Sequence, residues 1–222
     1  MSDTNLGISA DILRIHKVFT RALAVIVAQG QVFAQAGYPD QAVQGGFASY
    51  VLSFESLLHA HHLTEEELVF PYFRKKMPGE PFDLLLVQHS EIAMWVYEIR
   101  DLLGSHENPH LDVGSLKELV QVVTKIDQIW RPHIEIEENI FSPEKISGLA
   151  SAEEQTLLSR QFAEHSQKHS SPDYLVTPFI LYNLSPADRL VMSQLMPPIV
   201  TRQLVPIIWK EKWQPMQPFL LE

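Results

Sequence analysis

The sequence predicts an all-α protein: an antiparallel four-helix, up-down bundle with additional C-terminal helices and a Pro-rich apolar tail. Three observations carry that prediction. Apolar residues recur at helical period through four long stretches before residue 145. The pattern His, three residues, Glu, three residues, Phe occurs twice, at His62-Glu66-Phe70 and at His133-Glu137-Phe141, 71 residues apart. Eight of the fifteen prolines fall in the last 52 residues, which marks off a C-terminal extension. The predicted division is a bundle over residues 1–147 and a helical extension over 148–222 that packs on it.

Composition narrows the function classes. The 222 residues are 45% hydrophobic and 20% charged, ordinary for a globular chain long enough to bury a sizeable core. A formal net charge of −10 without any Lys/Arg cluster argues against nucleic acid as a partner. The absence of cysteine means that any metal site must be built from histidines and carboxylates. Met1 to Gly7 shows no basic region followed by an apolar run, and no stretch approaches the ~18 apolar residues of a membrane span. A soluble, unexported, cytoplasmic protein with no membrane partner is expected.

Each element follows from local signals. In the first helix Ser9 is a plausible N-cap and Gly37 a plausible stop, and His16 shares the apolar stripe with Ile12, Phe19 and Leu23. A second pattern runs from Tyr38-Pro39-Asp40 to about Arg74, crossed by Gly45-Gly46 and Pro71. Within it Thr64-Glu65-Glu66-Glu67 also fits a capping box, which would start a new helix after His62. The third helix starts near Pro81 and ends around Gly104, with His89 between Leu85, Leu86, Ile92 and Val96. His106-Glu107-Asn108-Pro109-His110 matches a zinc-protease pattern in letter only, because Pro109 breaks the helix that this chemistry requires. The fourth helix begins near Ser115 and reaches Phe141, with a kink expected at Pro132. Ser151-Ala152-Glu153-Glu154 caps a fifth helix ending near His169, and Ser185-Pro186 starts a short one. Trp209, Trp213, Met216, Phe219 and Leu220 form an apolar strap expected to lie on the domain's own surface; a docking surface for a protein partner is the alternative.

On a helix four residues advance about 400°, so His62 and Glu66, and likewise His133 and Glu137, project within roughly 40° of each other. His16 precedes His62 by 46 residues and His89 precedes His133 by 44, so the chain reads as two helical hairpins, each giving a lone His and a His-x-x-x-Glu pair. The expected metal ligands are His16, His62, Glu66, His89, His133 and Glu137. Four imidazoles and two carboxylates suit two ions better than one. Nitrogen and oxygen donors without sulfur favour iron, with manganese possible, and an oxo or hydroxo bridge would leave each ion an open position. Glu55 and His59 continue the stripe of His62 and Glu66, where they would orient a ligand imidazole or form a polar edge. Tyr50 and Tyr97 are candidate pocket-lining hydroxyls. His165 and His169 have ligand spacing but no carboxylate pair to answer them, which reads as a polar helix face.

A lone His, His-x-x-x-Glu followed by Phe-Pro, a second lone His and a second His-x-x-x-Glu-Glu together resemble the hemerythrin-like HHE cation-binding family over roughly residues 8 to 145. The resemblance implies a four-helix bundle around a non-haem di-iron centre, with the six residues named above at the ligand positions. Oxygen-carrying hemerythrins place a further His four residues after the lone His of the third helix, where this chain has Ala93, and end with Asp where this chain has Glu137. The resemblance therefore implies a more open and more symmetric site, suited to binding or sensing a small diatomic or peroxide ligand (O2, NO, peroxide) or iron itself. The alternative is a peroxidase- or catalase-like di-iron oxidoreductase using the same site. A ferritin-like oxidase would need Glu-x-x-His pairs, and none of the four histidines has Glu three residues before it. An interaction module with histidines as plain core residues is the remaining reading.

Overall fold

The structure, a computed structural model, describes residues 7–105 and 107–221. The expectations placed on residues 1–6 and on His106 lie outside these. Among the described residues all regular structure is helical. Four long helices dominate: α1 (Ile8–Ala36), α2 (Gln41–Thr64), α4 (Phe82–Leu103) and α5 (Leu116–Ile140). A π-helical turn, Glu65–Val69, joins α2 to the short α3 (Phe70–Lys76). The C-terminal part holds α6 (Pro143–Ser147), α7 (Ala152–His169), α8 (Asp173–Tyr182), α9 (Pro186–Leu195), a second π-helical stretch (Val200–Ile208), α10 (Lys210–Trp213) and a 3-10 turn (Gln214–Phe219).

The boundaries have local causes. The Asp40 side chain accepts from the Val43 amide, Ser151 from Glu154 and Ser185 from Asp188, each satisfying an amide that the first turn leaves free. Gly37 and Gly104 end α1 and α4 at φ +76° and +74°, a region costly for any residue with a Cβ. α1 begins at Ile8 after Gly7, two residues earlier than a cap at Ser9 would place it. Thr64 does not cap a new helix. Its backbone is helical and its hydroxyl donates to the Ala60 carbonyl at 2.8 Å, so α2 runs on into the π turn. In that turn the Phe70 amide reaches the Glu65 carbonyl, five residues back. Pro71 accounts for the widened turn, since a proline has no amide for the carbonyl four residues earlier and its ring crowds that group. α5 continues past Pro132 to Ile140, unbroken.

α1 packs mainly on α5, α4 on α5, and α2 on α4, with a lighter contact between α1 and α2. The other flanks of α2 are covered by α7, α8 and the 3-10 turn. From Gly46 to Thr64 almost every residue of α2 is therefore buried, and the helix shows no polar face. The main core joins Phe19, Phe47, Tyr50, Phe54, Val123 and Trp130; a second cluster joins Phe70, Phe73, Phe82, Ile140 and Phe141. Full burial of one such side chain contributes about 1.5–3 kcal/mol.

The extension is part of the same body. Of the apolar strap, Trp213, Met216, Phe219 and Leu220 lie in the main core and Trp209, partly buried, packs against it. Gly46 makes this possible, because a Cβ there would stand 2.0 Å from the Pro215 carbonyl oxygen. Arg21 donates to the Phe219 carbonyl at 2.8 Å and to the Tyr50 hydroxyl at 3.2 Å, and Tyr50 donates to Asn183 at 2.7 Å. α1 is long and apolar enough to cross a membrane by composition alone, contrary to the expectation that no stretch approaches this; Val18, Phe19, Ala22, Leu23, Ile26 and Phe33 of it lie in the core.

Candidate metal centre

Polar side chains converge between the two apolar clusters. α1 supplies His16, α2 supplies His61 and His62, α4 supplies His89, and α5 supplies His133 and Glu137; Glu65 enters from the first residue of the π turn. All seven are buried. They form two groups, His16, His61, Glu65 and Glu137, and His62, Glu65, His89 and His133, with the possible ligand atoms of each group within 4.8 Å of one another. Glu65 belongs to both.

The distances fit a cation between the donors. His16 Nε2 and His133 Nε2 each lie 3.3 Å from Glu137 Oε2; His61 Nε2 lies 3.2 Å from Glu65 Oε1, and His89 Nε2 3.5 Å from Glu65 Oε2. Two donors each about 2.1 Å from one ion stand about 3.0–3.4 Å apart. The Nε2 atoms of all five histidines and both oxygens of Glu65 and Glu137 are buried with no hydrogen-bond partner among the described residues. Each such atom costs on the order of 1–3 kcal/mol if left so. A bound cation would satisfy such atoms, so the donor set fits a metal site.

Three imidazoles are held from behind. His16 Nδ1 lies 3.0 Å from Glu138 Oε1, His89 Nδ1 3.0 Å from Glu66 Oε1, and His133 Nδ1 3.2 Å from Gln88 Oε1. These acceptors fix the proton on Nδ1 and leave Nε2 bare toward the centre. Trp130 stands beside four of the rings, 5.4 Å from His16, 5.8 Å from His133, 6.3 Å from His62 and 6.4 Å from His61, and its indole donates to Thr20 at 3.0 Å.

Protonation without a cation follows the same geometry. Burial, then neighbouring imidazoles, pushes His61 and His62 well below the usual value for histidine. Burial would lower His16 too, but its contacts with Glu137 and Glu138 outweigh this and raise it. Burial, Glu137 and Glu66 raise Glu65 well above the carboxylate range, whereas in Glu137 the effect of burial is overcome by His133 and His16, which hold it low. A bound cation would displace the proton from every nitrogen and oxygen facing it, reversing the direction for His16 and Glu65 and reinforcing it for His61, His62 and Glu137.

Of the six expected ligands, His16, His62, His89, His133 and Glu137 lie in these groups. Glu66 does not. Its side chain is 41% exposed and its carboxylate stands behind His89. Glu65 takes the inner position, and His61, which the sequence reading passed over, joins as a fifth imidazole. The missed signal is the doubled His61-His62…Glu65-Glu66, which contains two overlapping His-x-x-x-Glu pairs. Alignment on the following Phe selects the outer one, because Phe70 stands five positions after Glu65 where Phe141 stands four after Glu137. Counted from the inner carboxylates the repeat is 72 residues, with His61, Glu65 and Glu66 matching His133, Glu137 and Glu138. The expected symmetry also fails, since one group has two imidazoles and the other three.

The remaining candidates lie elsewhere. Glu55 is bound by Arg100 at 2.9 and 2.5 Å, and His59 lies half-buried near Tyr97, lowered by burial and by Arg100. Tyr50 belongs to the tail anchor, its hydroxyl raised by burial, and Tyr97 is exposed beneath Arg100. His165 does meet a carboxylate: its Nε2 lies 3.0 Å from Glu67 Oε2 and its Nδ1 2.9 Å from the Thr64 hydroxyl, which ties α7 to the π turn. His169 stacks beside it at 4.5 Å.

The model of the hemerythrin HHE cation binding domain matches residues 8–144. No curated protein and no solved structure matches the chain.

Proposed function

This chain belongs to the hemerythrin HHE cation-binding family, and from that premise we propose that it is a non-haem di-iron protein that binds or senses a small ligand. The ligand would be O2, NO, peroxide or iron itself, held in an antiparallel four-helix bundle formed by α1, α2, α4 and α5; manganese is the alternative metal. The observation that carries this reading is the set of nine buried donor atoms without a hydrogen-bond partner among the described residues, five imidazole nitrogens and four carboxylate oxygens.

Bound iron would supply Lewis acidity and one-electron redox chemistry to a small ligand. The chain's own work is to hold and to exclude. Glu65 spans both groups and ties them together. His16, His89 and His133 are locked in one tautomer by Glu138, Glu66 and Gln88. Trp130 and Phe70, both buried against the imidazoles, keep water from the donors and strengthen every charge interaction between them. Each group offers four protein donors, fewer than the octahedral number, which leaves room for an exogenous ligand. His62 supplies from α2 the additional imidazole that oxygen carriers take from the position of Ala93.

Metal analysis of protein purified from iron-replete cells, with absorption spectra under air and after azide, peroxide and NO, tests the proposal. Two iron ions per chain and a visible spectrum that responds to an added ligand are expected. A metal-free protein, or a spectrum that no ligand alters, contradicts it. Sustained peroxide turnover would move the reading to the oxidoreductase alternative.

A further inference from the structure

Each inner carboxylate is followed directly by a second one, Glu66 after Glu65 and Glu138 after Glu137. The outer pair is not in either donor group. Both nevertheless make the same contact. Glu66 lies 3.0 Å from Nδ1 of His89 and Glu138 3.0 Å from Nδ1 of His16, so each meets the lone imidazole of a neighbouring helix. Glu66 follows α2 and braces α4; Glu138 belongs to α5 and braces α1. An incidental surface contact would not recur at the matching position of both copies.

An ionised carboxylate only accepts, so each imidazole must carry its proton on Nδ1 and present a bare Nε2 to the centre. His133 receives the same constraint from Gln88, a neutral amide, at 3.2 Å. Fixing the tautomer therefore requires no charge. The charge on Glu66 and Glu138 does something further: it makes the imidazole a stronger donor and favours a higher positive charge on whatever it binds. Glu66 and Glu138 remain 41% and 35% exposed while the imidazoles they touch are 1% exposed, so each places a solvated negative charge directly behind a buried donor.

We infer that Glu66 and Glu138 are a matched pair of positioning residues that brace His89 and His16 and bias the centre toward the higher oxidation state of its metal. The inference rests on the di-iron reading above.

The full-length protein carrying Glu66→Gln, Glu138→Gln, Glu66→Ala or Gln88→Glu tests it by two readouts: Co2+ affinity in a competition titration, and the midpoint potential of the iron-loaded form. The Gln variants keep an acceptor without charge, and should retain two ions while the midpoint potential rises. Glu66→Ala removes the acceptor and should lose about 10- to 100-fold in Co2+ affinity. Gln88→Glu adds a charge behind His133 and should lower the potential. If the variants match the wild type in both affinity and potential, the outer glutamates are surface residues and the inference falls, while the di-iron reading stands on two ions bound by the wild type. A wild type that binds no Co2+ or iron overturns both.

Discussion

The π turn after α2 and the last turns of α5 carry the same residue pattern in different backbones. Around His133, Glu137 and Glu138 the helix is continuous. Around His61, Glu65 and Glu66 it is widened by one residue just after the inner carboxylate. The inner Glu reaches the centre and the outer Glu braces a neighbour's imidazole in both copies. The copies differ at the residue after the first His: His62 in the first, Ile134 in the second. That single difference makes the two donor groups unequal, and it sits on the helix that is buried on nearly every side. The comparison separates what the repeat requires, an inner and an outer carboxylate, from what one copy adds.

The largest break should come at the shared carboxylate. Glu65 enters both groups, and Glu137, though grouped with His16, also stands 3.3 Å from His133 of the other group, so Glu65→Ala and Glu137→Ala should each lose most of the bound metal, Glu65→Ala the more. Metal counting after dialysis checks this; equal losses in the two variants would make the copies interchangeable.

Acid should act next, in the metal-free protein. His61 and His62 are held below their ordinary value of 6.5, so below that pH the unfolded chain binds protons that the folded one refuses, and stability falls. His16, held above 6.5, works on the alkaline side: the folded chain binds the extra proton there and stability rises as the pH falls toward 6.5. Glu65, raised above 4.5, retains its proton when folded and works against the acid loss, while His89 and Glu137, both held low, add to it. Urea unfolding of the chelated protein should therefore show greatest stability near neutral pH and a decline below 6.5, shallower in His61→Gln. A stability that rises steadily into acid would contradict these environments.

His62→Gln probes the inequality itself. It should weaken one group and spare the other, giving one tight and one weak ion in a Co2+ titration; a uniform loss would place His62 between both. The smallest effect on the centre should come from Gly46→Ala, which unseats the tail at Pro215. Overpacking of this kind costs about 1–3 kcal/mol. A melting point several degrees lower with metal content unchanged is expected, read by calorimetry and metal analysis.

Much of this was legible beforehand, for physical reasons that can be named. α1 and α5 are amphipathic, so the faces carrying His16, His133 and Glu137 could be read from apolar period alone. Ser151, Ser185, Gly37 and Gly104 announce their caps because few other residues suit those positions. α2 gave no such guide. Buried by α4, α7, α8 and the 3-10 turn, it has no polar face from which to tell His61 from His62. Pro71 was visible, but a proline can end, kink or widen a helix, and only the fold shows that it widened the turn and displaced Glu66 from the centre. The role of the tail was hidden likewise, because the apolar side chains of Trp213, Met216 and Phe219 say that they will be covered and not by what.

Anomalous scattering at the iron edge from crystals of the iron-loaded protein tests the central claim most directly. Two peaks are predicted, one among His16, His61, Glu65 and Glu137 and the other among His62, Glu65, His89 and His133, with Glu65 common to both and Glu66 behind His89. A single peak, or two peaks with Glu66 turned inward in place of Glu65, would contradict it.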